Sequence, residues 1–195
     1  MMEQQPAFYF DLASPESYLS AERIMTLLPL AAEWIPIRGS ALPALSDAAE
    51  ERALVDALAE QRSLQAPRWP SPLPFDSEQA MLAATYAKQI GRTVPFVLAA
   101  FRQAYAGGRA LDDDDNIVIA GSACEMHPAA LLKGCQLRTV RDGLEAATAL
   151  ALERGVRDVP AVWVPGTDGA ADQLFHGDDQ LEAAAVAMSE QATAQ

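Results

Sequence analysis

The segment Phe8–Leu19 constrains the fold more than any other part of the sequence. Apolar and aromatic residues recur with a period of two over Ala7–Leu12, which is the pattern of a β-strand. Ser14 follows at the position of a helix N-cap, Pro15 at the first helical position and Glu16 in the first turn. We therefore predict a strand that runs directly into an amphipathic helix, with polar side chains at the junction.

The junction between this strand and helix is a place where an anion, or a group that becomes one, is stabilised. Free backbone amides and the helix dipole point toward it, and Ser14 and Ser17 add two hydroxyl groups. Capping of the helix explains Ser14 equally well when the segment is considered alone. A second element, Val159-Pro160 at the head of an apolar strand, supports a functional role if the two elements meet in the fold. Both interpretations of Ser14 remain open at this point.

Composition and charge restrict the class of protein. The chain has 195 residues, 50% of them apolar, which is enough for a sizeable core. Its formal net charge of −13 argues against nucleic acid and anionic membrane surfaces as partners, because both require a basic surface. No apolar run approaches the ~20 residues that span a bilayer, and Met1–Pro6 lacks the basic and apolar parts of a secretory signal. We predict a cytoplasmic protein with no nucleic-acid or membrane partner.

The cysteine, histidine and aspartate patterns give no sign of thiol or metal chemistry. Cys124 and Cys135 are eleven positions apart, which fits neither a dithiol motif nor a zinc site, so we predict two structural cysteines. His127 and His176 are isolated from each other, and we predict no metal site. The acidic run Asp112–Asp115 has two interpretations, a cation-binding loop or a solvated loop that ends in a helix cap. The second is favoured, because a calcium loop needs ligands at alternate positions.

Strand and helix patterns follow a defined order along the chain, namely βαβ, a helical block, then αββα. We predict an α/β fold with a four-stranded mixed sheet and a large α-helical insertion. The sheet domain would cover residues 1–39 and 155–195, and the inserted helical domain residues 40–154. The predicted strands are Ala7–Leu12, Glu33–Ile37, Pro160–Val164 and Gln173–His176, and the predicted helices are Pro15–Leu28, Asp47–Gln61, Glu78–Ile90 with Ser77 as its cap, Val94–Ala106, Thr139–Arg154 and one from about Asp178 to Glu190.

Four motifs occur in an order and at spacings that match a known family. They are Phe8–Asp11 running into Ser14–Leu19, Trp69-Pro70 followed by Ala80–Ala84, Phe101–Tyr105 with the acidic turn before Ile117, and Gly155–Pro160 followed by Phe175–Leu181. In this order they resemble the DsbA-like thioredoxin superfamily, and within it the branch of 2-hydroxychromene-2-carboxylate isomerases and kappa-class glutathione transferases. The resemblance covers most of the chain and implies a thioredoxin-like fold with a cis bond before Pro160.

The resemblance also implies a function and a set of site residues. Ser14 stands where redox-active thioredoxin folds begin their Cys-x-x-Cys pair, and it would be the catalytic residue, with its hydroxyl bound to the sulfur of glutathione. The backbone of Val159, before Pro160, would pair with the cysteinyl backbone, and Asp178 and Asp179 would hold the γ-glutamyl end. The implied protein is a homodimeric, glutathione-dependent isomerase or transferase that acts on a small aromatic or electrophilic substrate.

Three residues depart from the family pattern and keep an alternative open. Glu16 stands where an uncharged residue is usual, Asp158 where a glycine is common, and Gln180 where an arginine is usual. The first two make the site more acidic and the third removes a cation, which favours a non-catalytic thioredoxin-fold binding protein. A dithiol oxidoreductase is disfavoured by the residues themselves, because Ser14 and Ser17 cannot form a disulfide.

Overall fold

A four-stranded mixed sheet forms the centre of the computed structural model, which describes residues 5–43, 48–167 and 169–193. Its strands are β1 (Ala7–Phe10), β2 (Glu33–Pro36), β3 (Ala161–Val164) and β4 (Gln173–His176). They lie in the order β2-β1-β3-β4. β1 pairs with β2 in parallel, whereas β3 is antiparallel to both β1 and β4. The predicted mixed sheet of four strands is confirmed.

Eight α-helices are formed by the described residues, and six of them lie between β2 and β3. They are α1 (Pro15–Leu27), α2 (Ala48–Gln61), α3 (Glu78–Gln89), α4 (Thr93–Phe101), α5 (Asp114–Ser122), α6 (Pro128–Cys135), α7 (Arg138–Glu153) and α8 (Leu181–Thr193). Short helical turns cover Gly39–Ala41, Arg102–Ala106 and Asp178–Gln180. The helical middle segment is confirmed, and the last helix begins with a 3₁₀ turn before α8. The predicted start at Asp47 lies outside the described residues.

Helix α6 is absent from the sequence prediction because it is short and contains a glycine. It has eight residues, and Gly134 has a low helix propensity. The glycine allows close packing on α3, since a Cβ at this position would lie 2.5 Å from ring atoms of Tyr86. Tertiary packing therefore decides this helix, and a local pattern could not predict it.

The caps of α3 and α5 test two predictions made from polar residues. Ser77 is the N-cap residue of α3, as predicted, but its side chain makes no cap bond. Asp76 Oδ1 instead accepts from the Glu78 amide at 2.9 Å. At α5, Asp113 accepts from the Asp115 amide at 2.9 Å, which confirms a loop that ends in a helix cap.

Both faces of the sheet are buried, which explains why β1 is apolar along its whole length. On one face, Phe8 and Phe10 pack in the larger core cluster together with residues of α1, α3, α4 and α8. On the other face, Tyr9 packs in a smaller cluster with residues of β2, β3 and α7. There Arg154, the residue that caps the C-terminus of α7, stacks over Trp163 at 3.6 Å from the ring centroid and donates to the Tyr9 hydroxyl at 2.6 Å.

The sheet and the inserted helices share the larger core. Phe10 of β1 and Phe101 of α4 meet edge to face, with ring centroids 6.0 Å apart. Helix α7, which the predicted boundary places within 40–154, contributes Ala151 to the cluster on the second face of the sheet. The division into residues 1–39 with 155–195 and residues 40–154 stays a prediction.

The two cysteines lie within this helical core, as predicted. Cys124 and Cys135 are unpaired and buried in the larger cluster. Burial raises the pKa of the Cys124 thiol, and it raises that of Cys135 to about 11, so both hold their protons at neutral pH. Across the described parts of the chain, no helix is long and apolar enough to cross a membrane.

Candidate functional site

Ser14 lies at the N-terminus of α1 and caps the helix. Its backbone is extended, with φ −87° and ψ 113°, and its Oγ accepts a hydrogen bond from the Ser17 amide at 3.1 Å. The Ser14 amide donates to the Asp11 carbonyl at 3.0 Å and closes the turn after β1, so the strand ends two residues earlier than predicted. The predicted cap is confirmed, and Ser14 keeps 9% of its surface exposed.

The second predicted element, Val159-Pro160, lies directly against Ser14. The bond between these two residues is cis, as predicted. Ser14 Oγ donates to the Val159 carbonyl at 3.2 Å and joins residues 145 positions apart. The Pro160 carbonyl accepts from the Gly177 amide at 2.9 Å, which brings the turn before α8 to the same place. The loops after β1, before β3 and after β4 therefore meet at one end of the sheet.

The two serines of the Ser-x-x-Ser segment have different surroundings. Ser17 is fully buried, and its hydroxyl meets no hydrogen-bond partner among the described residues. Ser14 borders a cleft and makes two hydrogen bonds. Of the two hydroxyl groups at this helix terminus, Ser14 is the one that a bound molecule can reach.

A cleft of about 460 Å³ opens beside Ser14, and its lining combines apolar residues such as Phe75 and Met81 with several acidic residues. Its lining includes Asp11, Arg38, Glu51, Glu78, Asp158 and Val159. Arg38 is paired with Glu78, whose Oε1 lies 2.8 Å from its Nη2. Burial, together with the nearby charge of Asp158, raises the pKa of Glu51. The cleft can hold a small molecule, and its electrostatic potential disfavours an anion.

Asp11 forms part of the floor of the cleft and is held by backbone amides. Its Oδ1 accepts from the Ala13 amide at 2.8 Å and its Oδ2 from the Gly39 amide at 2.7 Å. Gly39 allows this close approach, because a Cβ at this position would lie 3.0 Å from Asp11 Oδ2. Burial raises the pKa of Asp11, while these two amides and the Ser77 side chain lower it. The carboxyl group fixes the loops after β1 and β2 to each other.

The predicted aspartate pair before α8 is divided between the interior and the surface. Asp178 is fully buried, and its carboxylate accepts from Arg23 Nη1 at 2.7 Å and from Ser20 Oγ at 3.2 Å. Arg62 Nε lies 2.6 Å from the same carboxylate as an ion pair without hydrogen-bond alignment. Asp179 is exposed. The Asp178 side chain is thus occupied within the protein, and Asp179 is the one available to a ligand.

Two residues that depart from the family pattern each occupy a backbone amide at the site. Glu16 Oε1 accepts from the Asp178 amide at 2.7 Å, across 162 positions of sequence. Asp158 Oδ1 accepts from the Val159 amide at 2.8 Å. Burial raises the pKa of Glu16 to about 7, and the charges of Asp158, Asp178 and Asp179 add to the rise, although the Asp178 amide opposes it. Gln180 reaches its neighbour Asp179, with Nε2 3.4 Å from Oδ2.

The sequence did not predict the residues that bind and position the site residues from the interior of the protein. Arg23 and Arg62 come from α1 and from the residue after α2, and no local pattern marks them as partners of Asp178. Tyr105 is buried, and its hydroxyl donates to the Ala13 carbonyl at 2.6 Å, directly before Ser14. Its place in the motif Phe101–Tyr105 was a usable signal. The described residues contain no group of three or more His, Cys, Asp or Glu side chains placed to hold a metal ion.

The family follows from comparison of the whole sequence with family models. Residues 7–189 match the DSBA-like thioredoxin domain. The chain belongs to this family. No curated protein matches its sequence significantly.

Solved members of the DSBA-like thioredoxin fold superpose on nearly the whole chain at low sequence identity. A 2-hydroxychromene-2-carboxylate isomerase has a TM-score of 0.81 at 19% identity and covers 96% of this chain and 95% of its own. A probable DsbA oxidoreductase from Streptomyces coelicolor gives 0.74 at 16%, covering 99% and 92%. The cytosolic disulfide reductase DsbM from Pseudomonas aeruginosa, solved with GSH, gives 0.69 at 12%, covering 98% and 100%. At these identities the likeness establishes the fold.

Proposed function

We propose that this protein is a glutathione-dependent isomerase or transferase that acts on a small aromatic or electrophilic substrate. The observation that carries the proposal is the contact between Ser14 Oγ and the Val159 carbonyl, 3.2 Å apart at the mouth of the cleft. It puts a hydroxyl donor, the positive end of α1 and the backbone before Pro160 around one point. The likeness to the isomerase and to the GSH-bound reductase supports a thiol ligand here.

Ser14 has the chemistry needed to stabilise a thiolate. Its Oγ already accepts from the Ser17 amide, so its single proton is available to one acceptor, which is now the Val159 carbonyl. With a ligand bound, that proton would turn to the sulfur, and the Val159 carbonyl would accept from a peptide amide of the ligand. A hydroxyl donor and a helix N-terminus both lower the pKa of a thiol. Bound glutathione would supply the nucleophile that attacks the substrate.

The two aspartates of the turn before α8 have different roles in the proposed ligand site. Asp179 is exposed and would bind the ammonium of the γ-glutamyl end. The Asp178 carboxylate is fully buried against Arg23, so in this proposal Asp178 fixes the turn and does not contact the ligand through its side chain. Ser14 and Val159 would hold the central cysteinyl part. Homodimerisation and a cytoplasmic location stay predictions.

Titration calorimetry with glutathione tests the binding part of the proposal. Wild-type protein should bind, and Asp179→Ala should raise the dissociation constant by roughly tenfold, the size of a lost charge-assisted hydrogen bond. Glu153→Gln, a change at the exposed end of α7, serves as the control and should leave binding unchanged. Absence of binding to the wild type would remove the basis of the proposal.

A non-catalytic binding protein is the second candidate, and the acidic residues of the cleft favour it. Asp11, Glu51 and Asp158 line the space in which a substrate would lie, and a carboxylated aromatic substrate would be repelled there. Turnover distinguishes the candidates, measured with an uncharged aromatic electrophile and with a hydroxychromene carboxylate. Glutathione binding without turnover of either compound would favour the binding protein.

A further inference from the structure

The backbone amides of Asp178 and Val159 are both occupied by carboxylates of the chain itself. The Asp178 amide donates to Glu16 Oε1 at 2.7 Å, and the Val159 amide donates to Asp158 Oδ1 at 2.8 Å. If the γ-glutamyl end lies at the turn before α8 and the cysteinyl part lies at Val159, the ligand carboxylate and the ligand carbonyl would each need one of these two donors. A ligand must therefore displace two anionic side chains before it gains these hydrogen bonds.

The Glu16 carboxylate also lies close to the backbone of Gly177. Gly177 approaches it with φ +90°, and a Cβ on Gly177 would lie 3.0 Å from Glu16 Oε1 and 2.7 Å from Asp179 Oδ1. The Gly177 amide is bound to the Pro160 carbonyl at 2.9 Å, which holds the turn in place. Gly177 therefore leaves room beside the turn for the Glu16 carboxylate.

We propose that Glu16 is a specificity residue that makes the site reject a ligand carboxylate beside the Asp178 amide and prefer a thiol whose group there is neutral or positively charged. This inference rests on the proposed function, since it concerns the same ligand site. Asp158 acts in the same sense at the Val159 amide, where its charge opposes a second anion. The preferred ligand is therefore a thiol peptide with fewer carboxylates than glutathione.

The charges around Glu16 strengthen this rejection. Asp158 and Asp179 add negative charge near its carboxyl group. Asp178 adds to it as well, although its carboxylate is ion-paired with Arg23 and Arg62.

His176 also lies near Asp158, and its Nε2 accepts from the Arg157 amide at 3.1 Å. Burial lowers the pKa of His176, so at neutral pH this imidazole adds no positive charge. The pKa of Glu16 is raised to about 7, and rejection should therefore be strongest above this pH and weaken below it.

A pair of ligands that differ in one group tests the inference. The first is glutathione, and the second is the same tripeptide with its γ-glutamyl α-carboxylate converted to a carboxamide. At about pH 8 the wild type should bind the carboxamide at least about tenfold more tightly, because like charges brought together at a binding site cost that much or more. Glu16→Gln should remove this preference, and Glu16→Ala, which also frees the amide, should favour glutathione. Glu153→Gln should behave as the wild type.

Three outcomes separate this inference from the proposed function. Equal or tighter binding of glutathione by the wild type at about pH 8, or equal ligand ratios in Glu16→Gln and Glu153→Gln, overturns the inference and leaves the proposed function intact. No binding of either peptide to any variant overturns both.

An NMR titration without ligand tests the hydrogen bond between Glu16 and the Asp178 amide. The backbone amide signal of Asp178 should shift with pH, with a midpoint near the pKa of Glu16. A wild-type signal that does not change with pH would contradict this hydrogen bond.

Discussion

The two ends of the candidate site are built in opposite ways. At the N-terminus of α1, Ser14 presents a neutral hydroxyl to the Val159 carbonyl and to the cleft. At the turn before α8, the buried carboxylate of Asp178 is enclosed by Arg23 and Arg62, and Glu16 covers its amide. At the first end the neutral Ser14 hydroxyl is ready to bind a polar atom, with the Asp158 carboxylate beside it on the Val159 amide. At the second end charged groups satisfy one another.

This difference separates what the fold provides from what the individual chain adds. The helix terminus and the strand that begins after Pro160 come with the architecture, and they are enough to bring Ser14 and Val159 together. The charged end depends on single side chains such as Glu16. In the proposed function, catalysis therefore depends on the first end and ligand choice on the second.

The largest expected effect is a loss of stability at the charged end. Asp178→Ala leaves the guanidinium groups of Arg23 and Arg62, with 12% of each side chain exposed, without their shared carboxylate. We expect a loss of about 3–5 kcal/mol in the free energy of unfolding, the range for breaking a buried ion pair. Asp179→Ala, one residue further on at the surface, should change it by less than about 0.5 kcal/mol. Urea denaturation of both variants measures this, and equal losses would contradict the distinction.

The next effect concerns catalysis at the neutral end. Ser14→Ala should lower glutathione-dependent turnover about 10²–10³-fold, the typical result of losing one donor to an anion, and should cost about 1 kcal/mol in stability as a lost cap. Ser17→Ala is the matched control, because the Ser17 hydroxyl is buried without a partner among the described residues. It should leave turnover unchanged. Steady-state kinetics of both variants provide the test, and similar losses from both would assign Ser14 a purely structural role.

A smaller effect is the pH dependence of stability at Glu16. The pKa of Glu16 is raised from 4.5 to about 7, so between these values the folded protein keeps a proton that the unfolded chain releases. Stability then falls as pH rises through this window. Since Glu16 is partly exposed, we expect wild type to lose about 1–2 kcal/mol more than Glu16→Gln between about pH 5 and about pH 8. Urea denaturation at both pH values measures it, and parallel pH profiles would contradict the raised pKa of this carboxyl group.

Local patterns predicted the neutral end well and the charged end poorly. The Ser14 cap and the strand after Pro160 can each be predicted from residues that are adjacent in sequence. The order of strands and helices then brings the two features together. The Asp178 ion pairs depend on Arg23, which lies 155 positions away, and the Glu16 contact spans 162 positions. No periodicity or motif encodes such pairs, because they form only when separate helices pack. The sequence marked Glu16 as unusual but could not identify its partner.

The last and smallest expected signal is that of dithiol chemistry, for which we expect no activity. Ser14 and Ser17 cannot cycle through a disulfide, and Cys124 and Cys135 are buried with raised pKa values. Reduced and oxidised protein should therefore show no turnover in an insulin-reduction assay. Activity that disappears in Cys124→Ala or Cys135→Ala would overturn the structural role of these residues.

The thiol pKa of bound glutathione tests the central claim most directly. Thiolate absorbance is followed against pH with saturating glutathione, for wild type and for Ser14→Ala. We predict a midpoint at least about one unit below that of the free thiol in the wild type, and a midpoint close to the free value in Ser14→Ala. An unshifted midpoint in the wild type, or the same shift in both proteins, would contradict a role for Ser14 beyond capping α1.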